Sequence, residues 1–584
     1  MINGELSRAF ELIGDLLEIT GADRFRINSY RRAARVVKEC PEDLSLVAAE
    51  GRLGTLAGVG KSTAAKIEQF IETGTIDLLD ELSAELPEGL PALLEVPGLG
   101  PKKVAALHHE LQVGSLKDLK RAIKDGSIEK LAGFGATSVK RVADGIALLE
   151  ASAGRTPLGL AMPIAESLAA ALLKLEPVRR VAVAGSLRRG AETVGDIDLL
   201  CDSDRGEDVI QAFVQQPGVK RVLGSGATKG SISLELPSKK EVCAQLRVVP
   251  AESFGAALQY FTGSKEHNVR LREMAVKKGW KLNEWGLFDG ESQIAGADEA
   301  EIYEKLGLAL IPPELREDRW EFEKGFDPST LIQQEQIRGD LHMHTTASDG
   351  RSTIEEMTKA AKALGYEYIA ICDHSKSSTI ANGLSIERMT RHIQAIRTAD
   401  KKVRGIAVLA GCECDVLADG SLDYPDDILA QCDWVVASIH SALSGGKVPP
   451  TERTLRAMHN PYVCVIGHPT GRLINRRAPM KLDMAAVVRA AAETGTALEI
   501  NASWQRLDLK DLHVHQALQA GAWLSINTDA HSTDGLKGMA NGVTTARRGG
   551  APTEQVLNTL SLADLRAWVA KKRTGVPARA GATN

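Results

Sequence analysis

DLHMHTTASDG, residues 340–350, is the stretch that decides how the C-terminal part of the chain folds. Its H-x-H places His342 and His344 on one side of a strand, because side chains alternate with period two. Five more clusters share its composition: AICDHS (370–375), LAGCECD (409–415), VVASIH (435–440), VCVIGHP (463–469) and LSINTDAH (524–531). Nearly every cluster directly follows an apolar, strand-like run. From about residue 337 to Lys572 such runs alternate with helical stretches, a βαβ rhythm that implies a parallel sheet or barrel. In a barrel of parallel strands the C-terminal strand ends converge on one face, so clusters far apart in sequence meet in space.

Nine side chains stand out as metal ligands: His342, His344, Asp349, His374, Glu413, His440, His468, Asp529 and His531. A satisfied core histidine explains any one of them. It does not explain six of the thirteen histidines standing at strand ends beside acids. Nine ligands exceed the needs of one ion, so two or three ions sharing a bridging carboxylate are expected, with Glu413 as the bridge. Imidazoles mixed with carboxylates favour Zn, Mn or Fe over Mg or Ca alone. Paired ions of this kind acidify water and clamp both oxygens of an in-line displacement at phosphorus. The set resembles the PHP (polymerase and histidinol phosphatase) domain, with all nine positions of that metal pattern filled. The resemblance implies a distorted βα barrel with a trinuclear metal cluster.

Upstream, AGSLRRGAETVGDIDLL (184–200) places Asp196 and Asp198 at i and i+2 of a strand, so both carboxylates face one side and suit Mg or Mn. Gly185 and Ser186 form a turn able to meet a triphosphate, with the charge of Arg189 nearby. This segment resembles the nucleotidyltransferase signature of family X DNA polymerases, and YFTGSKEHNVRLREMA (260–275) matches that family's nucleotide pocket. The resemblance implies that Tyr260, Phe261, Gly263 and Asn268 contact the incoming sugar and base, with Arg272 nearby. The family carries a third aspartate just before the pocket, but CAQLRVVP (243–250) has Gln245 there. A neutral amide binds Mg poorly and cannot accept the primer hydroxyl proton. Glu241 shares the strand face but lies four residues away, roughly 13 Å, too far to substitute.

Residues 1–85 read as short helices punctuated by glycine, and 86–150 repeat that texture. LAGVGKSTAAKI (56–67), VPGLGPKKVAAL (96–107) and LAGFGATSVKRV (131–142) share an apolar–x–Gly–apolar–Gly turn leading into a helix. Such a turn aims backbone N–H groups at a DNA phosphate without reading bases. Gly58, Gly60, Gly98, Gly100, Gly133 and Gly135 are the expected contacts, in helix-hairpin-helix style. RINSYRRAARVV (26–37) together with 56–70 resembles the small N-terminal domain of polymerase beta-like enzymes. The resemblance makes Lys66 a candidate Schiff-base lyase nucleophile, with Lys61 and Arg26 as phosphate contacts and Tyr30 close by. Ser62 stands where a second phosphate-site lysine is expected.

Length and composition agree with a soluble multidomain protein: 584 residues, 43% hydrophobic, 25% charged. Net charge is −5, so DNA binding must come from local surfaces rather than global charge. Eight scattered cysteines suit a reducing cytosol, no stretch is apolar enough to span a bilayer, and the acidic N-terminus is no signal peptide. The expected order is therefore 1–85 helical DNA-binding or lyase-like domain, 86–154 fingers, 155–250 nucleotidyltransferase palm and 251–325 thumb. A linker (326–336), the PHP domain (337–575) and a tail (576–584) follow. The fold class is multidomain, α+β and α/β. This order resembles the bacterial family X DNA polymerases over essentially the whole chain. It implies a monomeric, cytoplasmic, nucleoid-associated DNA repair or end-processing enzyme, acting on gapped, nicked or 3′-recessed DNA and able to bind a deoxynucleoside triphosphate. Its PHP site would act as a 3′–5′ exonuclease, abasic endonuclease or 3′-phosphatase, while synthesis is expected to be weak or lost. The rivals are a working gap-filling polymerase with PHP proofreading, a small-molecule phosphatase of the histidinol phosphate type, and a non-catalytic DNA-end scaffold.

Overall fold

Short helices and glycine turns make up the front of the chain. The computed structural model describes residues 2–40, 44–56, 59–87, 89–94, 96, 98–151, 154–236, 240–323 and 327–574. The described residues up to 151, with 475–478, form one compact unit, and the rest form a second. In the first unit the three glycine turns share one geometry. Val59 N donates to Leu56 O, Leu99 N to Val96 O and Phe134 N to Leu131 O, at 3.0, 3.0 and 3.1 Å. Helices Lys61–Thr73, Pro101–Leu111 and Ala136–Ala151 start directly after Gly60, Gly100 and Gly135. Their first backbone bonds close onto those glycines: Ala64 N to Gly60 O, Val104 N to Gly100 O, Val139 N to Gly135 O. Apolar residues of all three turns, among them Val59, Leu99 and Phe134, enter one core. Gly58 lies outside the described residues.

The second unit opens with an antiparallel pair, β1 (Thr156–Pro157) and β3 (Thr193–Val194). Beside it a five-stranded palm sheet has the order β2-β4-β7-β6-β5: β2 Arg180–Val183, β4 Asp196–Asp202, β5 Val219–Ser225, β6 Lys229–Glu235 and β7 Glu241–Val249. Period two sorts its faces. Ile197, Leu199, Val242, Ala244, Leu246 and Val248 enter the palm core, which leaves Asp196, Asp198 and Gln245 on the opposite face. Helices Phe254–Thr262 and Lys265–Lys277 follow, then a three-stranded sheet (β8 Trp280–Asn283, β9 Gly286–Asp289, β10 Ser292–Ala295) and helix Glu299–Leu306.

Seven parallel strands in chain order form the last sheet: β11 Gly339–Met343, β12 Tyr368–Ile371, β13 Ala407–Asp415, β14 Trp434–Ser438, β15 Val465–Ile466, β16 Ala497–Asn501 and β17 Leu524–Asn527. A bridge between Met343 and Ala530 returns the last strand to the first, so the sheet curls into a distorted barrel. Both faces are covered, which is why strands such as YIAI and WVVAS are apolar throughout. Leu409, Trp434 and Val436 belong to the inner cluster, which also takes in Trp568, while Val408, Ala410, Cys412 and Cys414 belong to the outer. That alternation turns Glu413 inward.

The segment expected as a linker behaves otherwise over its described part. Leu331 and Ile332 are buried, Ile332 N donates to Ala551 O at 3.0 Å, and Leu331 pairs with Pro552. It is a strap on the barrel rather than a spacer. The expected tail, 576–584, lies outside the described residues, and no described helix is long and apolar enough to cross a membrane.

Candidate metal centre and polymerase-like pocket

All nine expected ligands converge at the C-terminal ends of the barrel strands. Glu413 is at the centre. Its Oε1 lies 3.0 Å from His468 Nε2 and 3.3 Å from His440 Nε2, while Oε2 lies 2.8 Å from His374 Nδ1 and 3.6 and 3.7 Å from His342 and His344 Nε2. Asp529 Oδ1 is 3.1 Å from His344 Nε2 and 3.8 Å from His342 Nε2. Asp349 reaches His374 Nε2 at 3.5 Å and His531 Nε2 at 3.4 Å. Three overlapping donor groups result: His344, Asp349, His374 and His531; His342, His344 and Asp529; His374, Glu413 and His440.

The buried atoms His342 Nε2, His344 Nδ1, His374 Nδ1 and Glu413 Oε2 make no aligned hydrogen bond among the described residues. Buried polar atoms of native proteins are ordinarily satisfied, so donors crowded together without partners fit shared cations. This cluster has the donor set of a divalent-metal site. Burial pushes His344 down to about 4, helped by the charges of His531 and His374, which keeps the imidazole in its neutral, ligating form. Glu413 and Asp529 stay well below the usual carboxylate range: burial opposes this, but the surrounding histidines outweigh it.

A ring of residues that motif spacing did not reveal holds these ligands in place. Glu499 accepts from His342 Nδ1 at 2.7 Å, His468 N at 2.6 Å, Asn527 Nδ2 at 2.9 Å and Asn501 Nδ2 at 3.1 Å. With its proton on Nδ1, His342 is left with the Nε2 lone pair facing the cluster. Asp415 does the same for His440, at 2.6 Å. Asp373 accepts from Thr345 N, Thr345 Oγ1, Ser348 Oγ and His392 Nε2, pinning the loop that carries Asp349. The available signal was a carboxylate inside an otherwise apolar strand, as in ALEIN (497–501).

In the palm, Asp196 and Asp198 lie side by side with Gln245, and the Gln245 amide donates to Asp196 Oδ2 at 2.7 Å. Burial pushes Asp198 up to about 6, Asp196 adding to the effect and Arg247 and Lys229 opposing it. Gly185 begins a one-turn helix, Gly185–Arg188, with φ +64°. A Cβ there would stand 2.3 Å from Asp198 Oδ2, so only glycine allows this approach. Ser186, half-buried, occupies the same turn.

Arg189 keeps its charge close enough to act on Asp198. Its Nε donates to Glu317 at 3.1 Å and its Nη1 to Thr262 O at 2.6 Å, so its guanidinium is already engaged. Asn268 is likewise held, between Gln259 Nε2 and Tyr260 O, and Arg272 is an exposed residue on the same helix. Tyr260 and Phe261 pack edge to face at 5.1 Å, with Arg247 over Phe261, and Gly263 caps their helix. In the first unit Lys66 Nζ donates to Ser62 Oγ at 3.1 Å, one helical turn back.

A barrel with a multi-donor metal site, joined to a nucleotidyltransferase-type palm and preceded by helix-hairpin-helix turns, defines a DNA-processing phosphoesterase. Residues 1–76 match the helix-hairpin-helix family, 90–147 the SAM-like helix-hairpin-helix tandem, 257–317 the DNA polymerase beta thumb and 340–503 the PHP domain. The chain belongs to the PolX branch of family X DNA polymerases: it is 39% identical, over 97% of its length and 99% of the relative's, to the DNA polymerase/3'-5' exonuclease PolX of Bacillus subtilis. Its PHP part is also similar to probable phosphatases, 36% identical in Acetivibrio thermocellus over 28% of this chain and 64% of that one. In Shewanella oneidensis the figures are 30%, 38% and 88%. The chain is a DNA-binding enzyme with a metal-dependent phosphoesterase domain.

Proposed function

We propose that the PHP centre hydrolyses phosphoesters at 3′ ends of gapped, nicked or 3′-recessed DNA, as a 3′–5′ exonuclease, on a polymerase scaffold whose own synthesis is weak or lost. Abasic-site cleavage and 3′-phosphate removal are the same chemistry on neighbouring substrates. The carrying observation is Glu413, whose two oxygens face two different sets of histidines. His342, His344, Asp349, His374, Glu413, His440, His468, Asp529 and His531 would hold two or three ions, of Zn, Mn or Fe type by their imidazole content. When bound, such ions acidify water and offset the charge that gathers on phosphorus during displacement. The protein's own part is to fix the imidazoles of His342 and His440 with their Nδ1 protons turned away from the cluster, through Glu499 and Asp415, and to bring DNA to the site by helix-hairpin-helix backbone contacts. Phosphodiester chemistry rather than small-ester hydrolysis is supported by those contacts, which a histidinol phosphate type of phosphatase does not need.

Weak synthesis is supported by Gln245, which holds Asp196 through an N–H and supplies no third carboxylate. Asp196 and Asp198 would still carry a nucleotide with Mg or Mn. In this reading the protein works as a monomer in the cytoplasm.

The test follows a 5′-labelled primer in a one-nucleotide gap, with Mn²⁺ and all four nucleotides. The primer should shorten with the parent and with Asp196→Ala but not with His344→Ala, and Gln245→Asp should extend it about tenfold faster than the parent. Lengthening by the parent that Asp196→Ala abolishes would instead establish a gap-filling polymerase whose PHP domain proofreads. A primer left unchanged, bound equally well after metal removal, would mark a DNA-end scaffold.

A further inference from the structure

The loop after β16 carries one side chain that the metal ring does not account for. Arg506 sits with Nε 3.7 Å from Asp529 Oδ2, beyond hydrogen-bond reach, and that oxygen already accepts from Asn501 Nδ2 at 3.1 Å. Its Nη1 is buried and has no partner among the described residues. An uncompensated guanidinium N–H is costly to bury, so its acceptor belongs to something that arrives.

The seat of this arginine is built by the palm. Leu507, at φ +43°, enters the palm core beside Leu158. Trp504 presses on Gly159 so closely that a Cβ there would lie 2.4 Å from the Trp504 Cβ. Arg472 donates to the carbonyls of Arg506 and Leu507 at 2.8 and 2.5 Å and pairs with Glu192 of the palm at 2.7 Å. A bulky residue in the left-handed region persists only where its surroundings hold it, and such positions cluster at functional sites. The anchoring explains how a loop residue is kept rigid at the mouth of the barrel.

We propose that Arg506 binds the non-bridging oxygens of the substrate's terminal phosphodiester at the PHP centre, held in place by the palm. This rests on the phosphoesterase reading above. In the reaction the oxygen of water bonds to phosphorus, the P–O3′ bond breaks and a proton goes to O3′. A nucleoside 5′-monophosphate leaves, and its phosphate still faces Arg506. The planar fork of arginine matches two phosphate oxygens at once, which lysine does not.

The experiment compares full-length parent, Arg506→Met and Arg506→Lys after loading with Mn²⁺. It reads primer shortening, bound metal, thermal midpoint, and the affinity for deoxyadenosine 5′-monophosphate by calorimetry. Arg506→Met should lower both kcat/KM and monophosphate affinity by about 10- to 100-fold, the range of one charge-assisted hydrogen bond. Arg506→Lys should recover part of each, with metal content and midpoint unchanged in both. Unchanged monophosphate affinity in Arg506→Met overturns the proposal, as does a loss of bound metal, which would make Arg506 a support for Asp529 instead. If the parent itself shortens no primer, the phosphoesterase reading fails, while the monophosphate titration still reports on Arg506.

Discussion

Glu499 is where chemistry at a single residue is most exposed to test. Four N–H groups converge on its two oxygens, one of them from the candidate ligand His342. Glu499→Gln keeps the shape but offers one acceptor oxygen where there were two, and turns the other position into a donor facing donors. A support of this kind is typically worth 10- to 100-fold in metal affinity. Mn²⁺ retained after dialysis against graded chelator should fall about tenfold or more, and retention equal to the parent would refute the assignment. Side chains with a periodic position were readable beforehand. His342 and His344 announce themselves as H-x-H, Asp196 and Asp198 as i and i+2. Glu499 and Arg506 were not readable, because their meaning depends on partners from other strands. Arg189 shows the converse. Its place beside the turn was clear, yet whether it faced a phosphate or Glu317 was a matter of tertiary packing.

Among the elements, the helix-hairpin-helix turns carry a prediction with two opposite signs. Helix Pro101–Leu111 begins after Gly100, whose φ −110° and ψ 171° suit any residue, and a Cβ there would have no neighbour within 4 Å. No side chain caps the helix; Pro101 has no N–H and Lys103 N turns back onto Gly100 O at 2.9 Å, which leaves the Lys102 N–H to meet an anion. Gly100→Asp supplies a cap and a charge that favours the helix dipole, stabilising the first unit by about 0.3–1 kcal/mol. If this turn meets DNA as proposed, the same carboxylate takes the place of a phosphate and repels it. Thermal unfolding should rise by roughly 1–3 °C while DNA affinity, read by anisotropy at low salt, drops about three- to tenfold. Affinity that is unchanged or rises with stability would mean this turn does not touch DNA. The motif was legible because three copies repeat one turn chemistry, which local sequence specifies. The strap at 327–336 was not. It was expected as a linker, while Leu331 and Ile332 find partners at Ala551 and Pro552, far along the chain.

At the level of the whole second unit, palm, thumb and barrel are joined by a buried junction rather than strung on a tether. Arg548, at the end of helix Met539–Arg548, donates to Arg189 O at 2.5 Å, to Glu317 at 3.0 Å and to Asp511 at 2.9 Å. Arg319 also pairs with Asp511, Arg547 with Glu314, and Trp320 stacks on His515 at 3.9 Å. The helix starts eight residues beyond His531, so one element links the histidine and carboxylate cluster to Arg189, beside the Gly185 turn. Removing one member of a buried ionic network leaves the others uncompensated, at a cost of about 2–4 kcal/mol. Arg548→Ala should therefore split one calorimetric unfolding transition into two, barrel apart from palm and thumb, and open the 317–336 region to limited proteolysis. Asp511 sets the pH response of the junction. Burial raises its pKa, but the charges of Arg548 and Arg319 outweigh that and leave it below the usual value. A depressed folded-state pKa means the contribution is complete above the unfolded value, near 4, and is lost as pH falls through the lower folded one. In the parent the two transitions should thus separate only in acid, below about pH 4, whereas Arg548→Ala should show them already at neutral pH. A single transition at neutral pH in Arg548→Ala, with the midpoint of the parent, would mean that the modules are held together elsewhere.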